Sequence, residues 1–251
     1  MPARVYAVAN QKGGVGKTTT AVNVGACLAE AGERVLLVDL DPQANATSGL
    51  GLRANGVSTH DLLDGAPLRE IVRPSGLQNL DVVMAKSDLA TAAVELSARE
   101  GGERYLAEAL AGALEPYSFV FLDCPPSFGP LTVNALAAAT RALVPVQAEY
   151  YALEGLSQLL GTINLVKGRL NPGLAVAGIL LTMADGRTRL AAEVEAELRR
   201  HFNELVCTTT VPRSVRLAEA PSHGLPAIAY DRRSAGAQAY WKVAMELVER
   251  S

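Results

Sequence analysis

The 251-residue chain is poor in aromatic residues and cysteine, and it has no long apolar segment. Aromatic residues make up 5% of it, with a single tryptophan, and Cys27, Cys124 and Cys207 lie far apart without a C-x-x-C pair or a histidine at zinc-ligand spacing. This pattern predicts free, buried thiols in a reducing cytosol, and it argues against a zinc or iron–sulfur centre built on cysteines. The apolar start at residues 5–9 is too short for a signal peptide, and no stretch reaches the length of a transmembrane helix.

The chain also lacks a strong charge of either sign. Its formal net charge is −3, which argues against a wholly basic nucleic-acid binder but leaves room for a local basic patch. Hydrophobic residues make up 49% of the chain, enough for one large α/β domain with a well-buried core. No internal repeat, low-complexity segment or linker interrupts residues 1–251, so we expect a single domain.

Short apolar runs alternate with longer helical patterns along the chain. This alternation predicts a three-layer α/β fold, in which helices cover both faces of a mostly parallel, twisted sheet. Strands are predicted at residues 5–10, 34–39, 80–84, 119–123, 141–146 and 176–181. Helices are predicted at residues 17–31, 103–114, 152–169, 189–202 and 235–249, and the polar, turn-rich stretch 49–74 is assigned no element.

A glycine-rich loop carrying two lysines joins the first predicted strand to the first predicted helix. Gly16-Lys17-Thr18 forms the end of the phosphate-loop motif G-x-x-x-x-G-K-[ST], but Gln11 stands where the first glycine is expected. In such a loop, main-chain N–H groups and a helix N-terminus hold phosphates, the lysine reaches the β/γ-phosphates and the hydroxyl binds Mg²⁺. The motif does not require Lys12, which must either neutralise a nearby charge or reach a neighbouring molecule's nucleotide.

Carboxylates follow two of the predicted buried strands. Asp39 and Asp41 end the second strand, and Asp123 ends the run F-V-F-L-D. Ligands bind at the carboxyl ends of strands in α/β sheets, so one of these groups could hold Mg²⁺ through water while another orients an attacking water. Without the phosphate loop, an acidic surface turn and a strand-capping Asp would explain the same residues.

Arginines are frequent in the last third of the chain. From residue 187 to residue 233 there are eight arginines and six acidic residues, although the whole chain is acidic. Such a bias could serve sequence-independent, salt-sensitive contacts to DNA phosphates. Charge alone favours a solvated face with helix pairs such as Glu195 with Arg199.

These motifs resemble those of the ParA/Soj family of chromosome- and plasmid-partitioning ATPases, in the deviant Walker A group that also holds MinD. The resemblance is spread over nearly the whole length. Its stretches are residues 10–20 (N-Q-K-G-G-V-G-K-T-T-T), 35–51 (V-L-L-V-D-L-D-P-Q-A-N-A-T-S-G-L-G), 123–127 (D-C-P-P-S), 145–158 (P-V-Q-A-E-Y-Y-A-L-E-G-L-S-Q) and 211–226 (V-P-R-S-V-R-L-A-E-A-P-S-H-G-L-P). The last two are far more specific than a phosphate loop.

The resemblance implies an ATPase that uses ATP/ADP and Mg²⁺ and forms a nucleotide-sandwich homodimer. It also implies that hydrolysis is slow without a partner protein. Lys12 resembles the signature lysine that crosses to the partner's phosphates; Lys17 would hold the β/γ-phosphates and Asp41 would orient the hydrolytic water. Thr18 would ligate Mg²⁺, supported by Asp39 and Asp123. The implied nucleotide-binding residues are Lys12, Gly13, Gly14, Val15, Gly16, Lys17, Thr18, Thr19 and, on the adenine side, Pro212 and Arg213.

The resemblance also implies partners and a location. The ATP-bound dimer would bind double-stranded DNA without sequence preference through Arg187 and Arg216, which places it on the nucleoid in the cytoplasm. A ParB-type centromere-binding protein would stimulate hydrolysis and return the dimer to monomers. We do not extend DNA contacts to Arg232 or Arg233, because Arg232 stands where relatives often have proline. Ala44 is a second departure, since many relatives have glycine there.

Three rival functions share these motifs. A membrane-cycling ATPase of the MinD type needs a basic amphipathic C-terminal helix, but residues 239–251 are charge-balanced, so we expect no membrane binding and interpret Trp241 and Met245 as core residues. A metal-handling relative would need paired cysteines, and a biosynthetic ligase would need a substrate motif that we do not find. The phosphate loop begins about ten residues into the chain, so we expect no N-terminal helix-turn-helix domain.

Overall fold

The computed structural model describes residues 2–149, 152–185 and 189–250, and its strands join into one seven-stranded sheet. The strands are β1 (Arg4–Val8), β2 (Val35–Asp39), β3 (Arg73–Pro74), β4 (Leu80–Val83), β5 (Phe119–Asp123), β6 (Arg141–Gln147) and β7 (Ala175–Thr182). Their order is β3-β4-β2-β5-β1-β6-β7, and every neighbouring pair is parallel except the edge pair β3–β4. The predicted mostly parallel α/β fold is therefore confirmed.

Helices connect the strands on both faces of the sheet. They are α1 (Lys17–Glu30), α2 (Asn45–Gly49), α3 (Thr59–Leu63), α4 (Leu68–Ile71), α5 (Leu89–Ala98), α6 (Tyr105–Leu110), α7 (Pro130–Ala138), α8 (Ala152–Arg169), α9 (Arg189–Phe202), α10 (Val215–Glu219), α11 (Ala227–Tyr230) and α12 (Ala235–Glu249). Single 3₁₀ turns occur at Asn203–Leu205 and Ala220–His223. The predicted helices at 17–31, 152–169, 189–202 and 235–249 are confirmed to within one residue.

In the middle of the chain, the sequence prediction made one helix too long and missed several short elements. The helix predicted at 103–114 is only α6, because Ala111 is extended and Gly112 has φ +68°. Its N-terminus is set by Asn134 of α7, whose side-chain oxygen accepts a hydrogen bond from the Leu106 N–H and whose amide donates to the Gly102 carbonyl. The unassigned stretch contains the short helices α3 and α4, and α5, α7 and the edge strand β3 were not predicted.

Successive residues of the inner strands face opposite sides of the sheet, and each side has its own hydrophobic core. Both sets of residues are therefore apolar, which explains the unbroken apolar runs in the sequence of these strands. Tyr6 and Val8 of β1 face the core shared with α1 and α12, whereas Val5 and Ala7 face the core shared with α5 to α8. Aromatic residues occur in both cores, and in the first the Tyr6 ring stacks with Phe121 at 5.3 Å between centroids. Both faces of the sheet are therefore covered, as parallel strands require.

The strand order brings three chain segments to one edge of the sheet. β5 lies between β1 and β2, with Asp123 in register with both Val8 and Asp39. The loop before α1 therefore begins beside the two aspartates that end β2 and β5. Such a crevice at the carboxyl ends of parallel strands is where α/β folds bind ligands.

Candidate functional site

The glycine-rich loop is held in a conformation that side chains would disfavour. Gly14 and Gly16 have φ values of +75° and +86°, in the left-handed region that glycine enters without cost. Gly16 is the residue before α1 and offers no side chain to cap it, so the first N–H groups of the helix remain available to a ligand. A helix start of this kind attracts phosphate through its free donors and its dipole.

Side chains from neighbouring strands fix the loop in place. The Thr182 hydroxyl donates to the Val15 carbonyl over 2.8 Å and lies 3.3 Å from the Val146 carbonyl. Asn10 donates to the Pro145 carbonyl over 2.7 Å and accepts from the Lys12 N–H over 3.0 Å. The ends of β6 and β7 therefore position the phosphate loop.

The two lysines of the loop lie in different surroundings. Lys17 is buried, and its ammonium donates to the Lys12 carbonyl over 3.0 Å. Burial lowers the pKa of Lys17, although Asp123 and Asp41 favour its charged form. The Lys12 side chain is 54% exposed and forms an ion pair with Glu149. Lys17 is thus a buried donor within the site, and Lys12 is a surface cation beside it.

A cavity of about 490 Å³ opens over the phosphate loop. Asp41 lines it, and the Asp41 carboxylate accepts from the Gln43 N–H over 2.9 Å. The other lining residues are Gly13, Gly14, Gly16, Lys17, Thr18, Thr19, Gln43, Asn45, Ser48, Gly49, Pro126, Met183 and Pro221. The phosphate loop and the carboxylate predicted to orient water therefore share one cavity.

Asp39, which the resemblance implies supports the Mg²⁺ ligands, ends β2 in register with Asp123. It is fully buried and does not line the cavity. One carboxylate oxygen accepts from the Asp41 N–H, and the other accepts from the N–H and the hydroxyl of Thr47 over 2.9 and 2.7 Å. Burial raises the pKa of Asp39 while these hydrogen bonds oppose the rise. In this structure Asp39 holds α2, which lines the cavity.

Asp123 is a fully buried carboxylate whose oxygens accept no hydrogen bond of normal geometry from the described residues. Burial and then the charge of Asp39 raise its pKa well above the usual range, although the Thr18 hydroxyl and Lys17 favour its charged form. A buried carboxylate without a partner is costly unless a cation compensates it. Oxygen ligands beside a phosphate site suit Mg²⁺, and Thr18 with Asp123 fits this ion.

Pro212 and Arg213 line a second cavity of about 240 Å³ that adjoins the first. The two cavities share Gly16, Thr19 and Met183. The Arg213 N–H donates to the Ala184 carbonyl over 3.2 Å, which fixes this loop beyond the end of β7. The structure thus places a pocket with Val211, Leu217 and Tyr240 in its wall where the resemblance implies an adenine.

Of the two arginines predicted to contact DNA, Arg187 lies outside the described residues. Arg216 lies in the first turn of α10 with half of its side chain exposed, and it is 2.7 Å from Glu219 and 3.5 Å from Asp231. Arg232, to which we did not extend DNA contacts, pairs with Glu30.

Sequence reasoning missed several residues of the site. Asn45, Ser48, Met183 and Pro221 line the first cavity, and Thr182 anchors its loop. Met183, with φ +50°, lies between the two cavities. Asn45, Ser48 and Pro221 fall within the stretches 35–51 and 211–226 that carry the resemblance but were given no role there, and nothing local marks Thr182 or Met183.

The cysteines and the C-terminal helix agree with the sequence interpretation. All three cysteines are buried free thiols, and burial raises the pKa of Cys27 and of Cys207 to about 12.

Helix α12 packs along α1 with Tyr240, Val243 and Leu247 buried, while Trp241 and Met245 are partly buried against the same core. Within residues 2–149, 152–185 and 189–250, no helix is both long and apolar enough to span a bilayer.

Comparisons with known proteins place these features in a family. The AAA domain model AAA_31 matches residues 3–176. The Soj protein of Bacillus subtilis, described as a sporulation initiation inhibitor, is 51% identical over 247 residues, which cover 97% of this chain and 98% of that protein. The chromosome-partitioning ATPase Soj of Thermus thermophilus is 55% identical over 247 residues, covering 98% and 96%.

Solved structures share the fold over nearly the whole chain. The cobyrinic acid a,c-diamide synthase of Mycobacterium smegmatis, solved with ADP and magnesium, is 39% identical with a TM-score of 0.84, covering 98% of this chain and 94% of that one. The cell division ATPase MinD of Pyrococcus furiosus is 25% identical with a TM-score of 0.83, covering 99% and 100%. The identity is higher with the partitioning proteins than with either of these structures.

Proposed function

The chain belongs to the Soj/ParA family of chromosome-partitioning ATPases, and we propose that ATP joins two copies of it into a dimer that binds DNA. It is an ATPase that uses ATP/ADP and Mg²⁺, the ligands present in related structures. The observation that carries the dimer is the position of Lys12. This lysine is largely exposed and does not line its own cavity, so its charge is available to a nucleotide bound by a second copy.

Each residue of the site has a distinct task in the proposed mechanism. Lys17 and the N–H groups at the start of α1 hold the phosphates, and Asp41 orients the attacking water from the wall of the cavity. The Thr18 hydroxyl and, with it, Asp123 would hold Mg²⁺, whereas Asp39 supports α2 beside them. When bound, Mg²⁺ neutralises phosphate charge. Pro212 and Arg213 contact the adenine side.

Lys12 links hydrolysis to the state of assembly. In the single chain its ammonium pairs with Glu149, and in the dimer it exchanges this partner for the phosphates of the other protomer. Phosphate charge in the transition state is then neutralised only after the dimer has closed. Loss of the γ-phosphate removes the group that Lys12 binds, so the dimer separates and hydrolysis times its lifetime.

The dimer binds double-stranded DNA without sequence preference through Arg216 and Arg187, which locates it on the nucleoid in the cytoplasm. Arg216 already has acidic partners, so DNA phosphates must compete with Glu219 and Asp231. Binding of this kind weakens steeply with salt, because it depends on counterion release. A ParB-type centromere-binding protein stimulates hydrolysis and returns the dimer to monomers.

Sedimentation velocity tests the dimer directly. Wild type and Lys12→Ala are compared with ATP and Mg²⁺, and Lys242→Ala, which removes another surface lysine, serves as the control. We expect wild type and the control to dimerise and Lys12→Ala to stay monomeric while it still binds ATP. Asp41→Ala should bind ATP and accumulate as the dimer. If Lys12→Ala dimerises like wild type, Lys12 acts within its own chain and the proposal fails.

DNA binding is tested on the same proteins with non-specific duplex DNA at several salt concentrations. Arg216→Ala should bind more weakly and reduce the slope of log affinity against log salt by about one for each phosphate that the variant no longer neutralises. Arg69→Ala is the control, because Arg69 is 83% exposed and pairs only distantly with Glu70. An unchanged slope for Arg216→Ala would remove this residue from the DNA surface.

A further inference from the structure

A histidine and three carboxylates form a cluster between α3 and α5, apart from the residues that line the nucleotide cavities. His60 and Asp64 are one helical turn apart at α3, Glu95 lies on α5, and Asp88 immediately precedes α5. The His60 side chain is 20% exposed, but its Nε2 atom is buried and makes no hydrogen bond with any described residue. Buried polar atoms nearly always have a hydrogen-bond partner, so a buried ring nitrogen without one needs a physical explanation.

We propose that His60, Asp64 and Glu95 bind a divalent transition-metal ion, with Zn²⁺ as the best fit, and that this ion ties α3 to α5. The Nε2 atom lies 3.4 Å from Asp64 Oδ2 and 3.6 Å from Glu95 Oε2. Ligand atoms at zinc bond lengths in a tetrahedron are about 3.3–3.6 Å apart. The three ligand atoms lie within 4.8 Å of one another, so a small shift brings all of them onto one ion.

The groups around the three ligands have the arrangement of supporting residues at metal sites. Asp88 Oδ2 lies 3.6 Å from His60 Nδ1, so the same small shift would let this carboxylate accept from Nδ1 and leave Nε2 as the ligand atom. Lys86 holds Asp88 through an ion pair of 2.9 Å. Arg99 binds Asp64 Oδ1 over 3.0 Å and Glu95 Oε2 over 3.3 Å, so both carboxylates are oriented while Asp64 Oδ2 is left to the ion.

The chemistry of the cluster selects the ion. An imidazole with two carboxylates suits Zn²⁺ and related transition ions better than Mg²⁺ or Ca²⁺, which prefer oxygen ligands alone. Three protein ligands leave a fourth position for water, and the exposed sides of Asp64 and Glu95 give the ion a route from solvent. The site is separate from the Mg²⁺ of the ATPase, so this inference does not rest on the proposed function.

Calorimetric titration of the nucleotide-free protein with ZnCl₂, in a buffer with excess Mg²⁺, tests the site. We expect one Zn²⁺ per chain in the wild type, and visible absorption bands of low-symmetry Co²⁺ when CoCl₂ replaces zinc. His60→Gln should abolish both signals. His201→Gln should keep them, because His201 pairs with one carboxylate of the described residues, Glu197 at 3.3 Å, and is 53% exposed.

Two further variants separate ligation from folding. Glu95→Gln removes a partly exposed ligand, so we expect this variant to lose Zn²⁺ binding. Its urea midpoint of unfolding, measured in EDTA, should equal that of the wild type. Asp88→Asn should bind Zn²⁺ about 10–100-fold more weakly, as the loss of an outer-shell partner does. If the wild type shows no saturable Zn²⁺ binding, or if His60→Gln binds it as tightly as wild type, the cluster is an ion-paired imidazolium and the proposal fails.

Discussion

Asp39 and Asp123 lie side by side at the ends of adjacent parallel strands, both fully buried, yet within the described residues only Asp39 accepts hydrogen bonds of normal geometry. Thr47 and the Asp41 N–H serve Asp39, whereas no described residue donates to Asp123 with normal geometry. Asp39 is therefore a structural acceptor, and we propose that Asp123 is the carboxylate that meets a cation. This difference separates two aspartates that look alike in the sequence.

Asp123→Asn should abolish Mg²⁺-dependent ATP binding without destabilising the nucleotide-free protein. Burial and the charge of Asp39 raise the pKa of Asp123, so ionising it opposes folding once the pH exceeds the usual carboxyl range. We expect the free energy of unfolding of Asp123→Asn in EDTA to equal or exceed that of wild type by about 1–3 kcal/mol at pH 8. The excess should shrink towards pH 4. A large loss of stability in urea at pH 8 would show that Asp123 is a structural residue.

Thr182→Val should loosen the phosphate loop while preserving side-chain volume. The variant leaves the Val15 carbonyl without its donor, which we expect to cost about 1–2 kcal/mol of unfolding free energy and to raise KM for ATP. Thr162→Val is the matched control, because the half-buried Thr162 donates its hydroxyl to the Gln158 carbonyl of its own helix, away from the phosphate loop. Equal ATP affinity in both variants would contradict a role for Thr182 in holding the loop.

Ala44→Gly should stabilise the protein, against the usual cost of glycine. Ala44 has φ +53° at the start of α2, in the left-handed region where a side chain costs about 1–2 kcal/mol. Part of that gain is offset by the greater freedom of glycine in the unfolded chain, so we expect a net increase of about 0.5–1 kcal/mol in urea. Ala196→Gly, in the middle of α9, should instead lose about 1 kcal/mol. The same sign for both substitutions would contradict the argument.

Glu246→Gln should weaken the fold in a way that depends on pH. Burial disfavours the charge of Glu246, but the N–H groups of Thr209 and Thr208 together with Arg250 outweigh it and lower its pKa. The charged side chain therefore stabilises the protein above the usual glutamate pKa, and this contribution is lost as the pH falls. We expect a deficit of about 1–3 kcal/mol at pH 7 that largely disappears near pH 3, measured by urea unfolding. Glu249→Gln, at an exposed position on the same helix, should show neither effect.

The sequence predicted the elements whose signals are local. The strand at 119–123 and the helices at 152–169, 189–202 and 235–249 appear with the predicted bounds, because apolar period and flanking turn residues decide them. The prediction for α6 was too long at both ends, because Asn134, far along the chain, binds the residues at its start and because Ala111 and Gly112 leave the helical conformation at its end. The two-residue strand β3 exists only through its pairing with β4.

The amino-acid sequence by itself determined the parallel α/β fold, the phosphate loop and the family, since each depends on residues close together in the chain. The tertiary structure alone decided that Asp39 accepts from Thr47 while Asp123 accepts no hydrogen bond of normal geometry from the described residues. It also decided that Thr182 anchors the loop 167 residues away and that His60 faces Glu95 of another helix. Hydrogen-bond partners and burial depend on which segments the strand order places side by side. Local periodicity carries no information about that order, so these relationships become visible only in the folded chain.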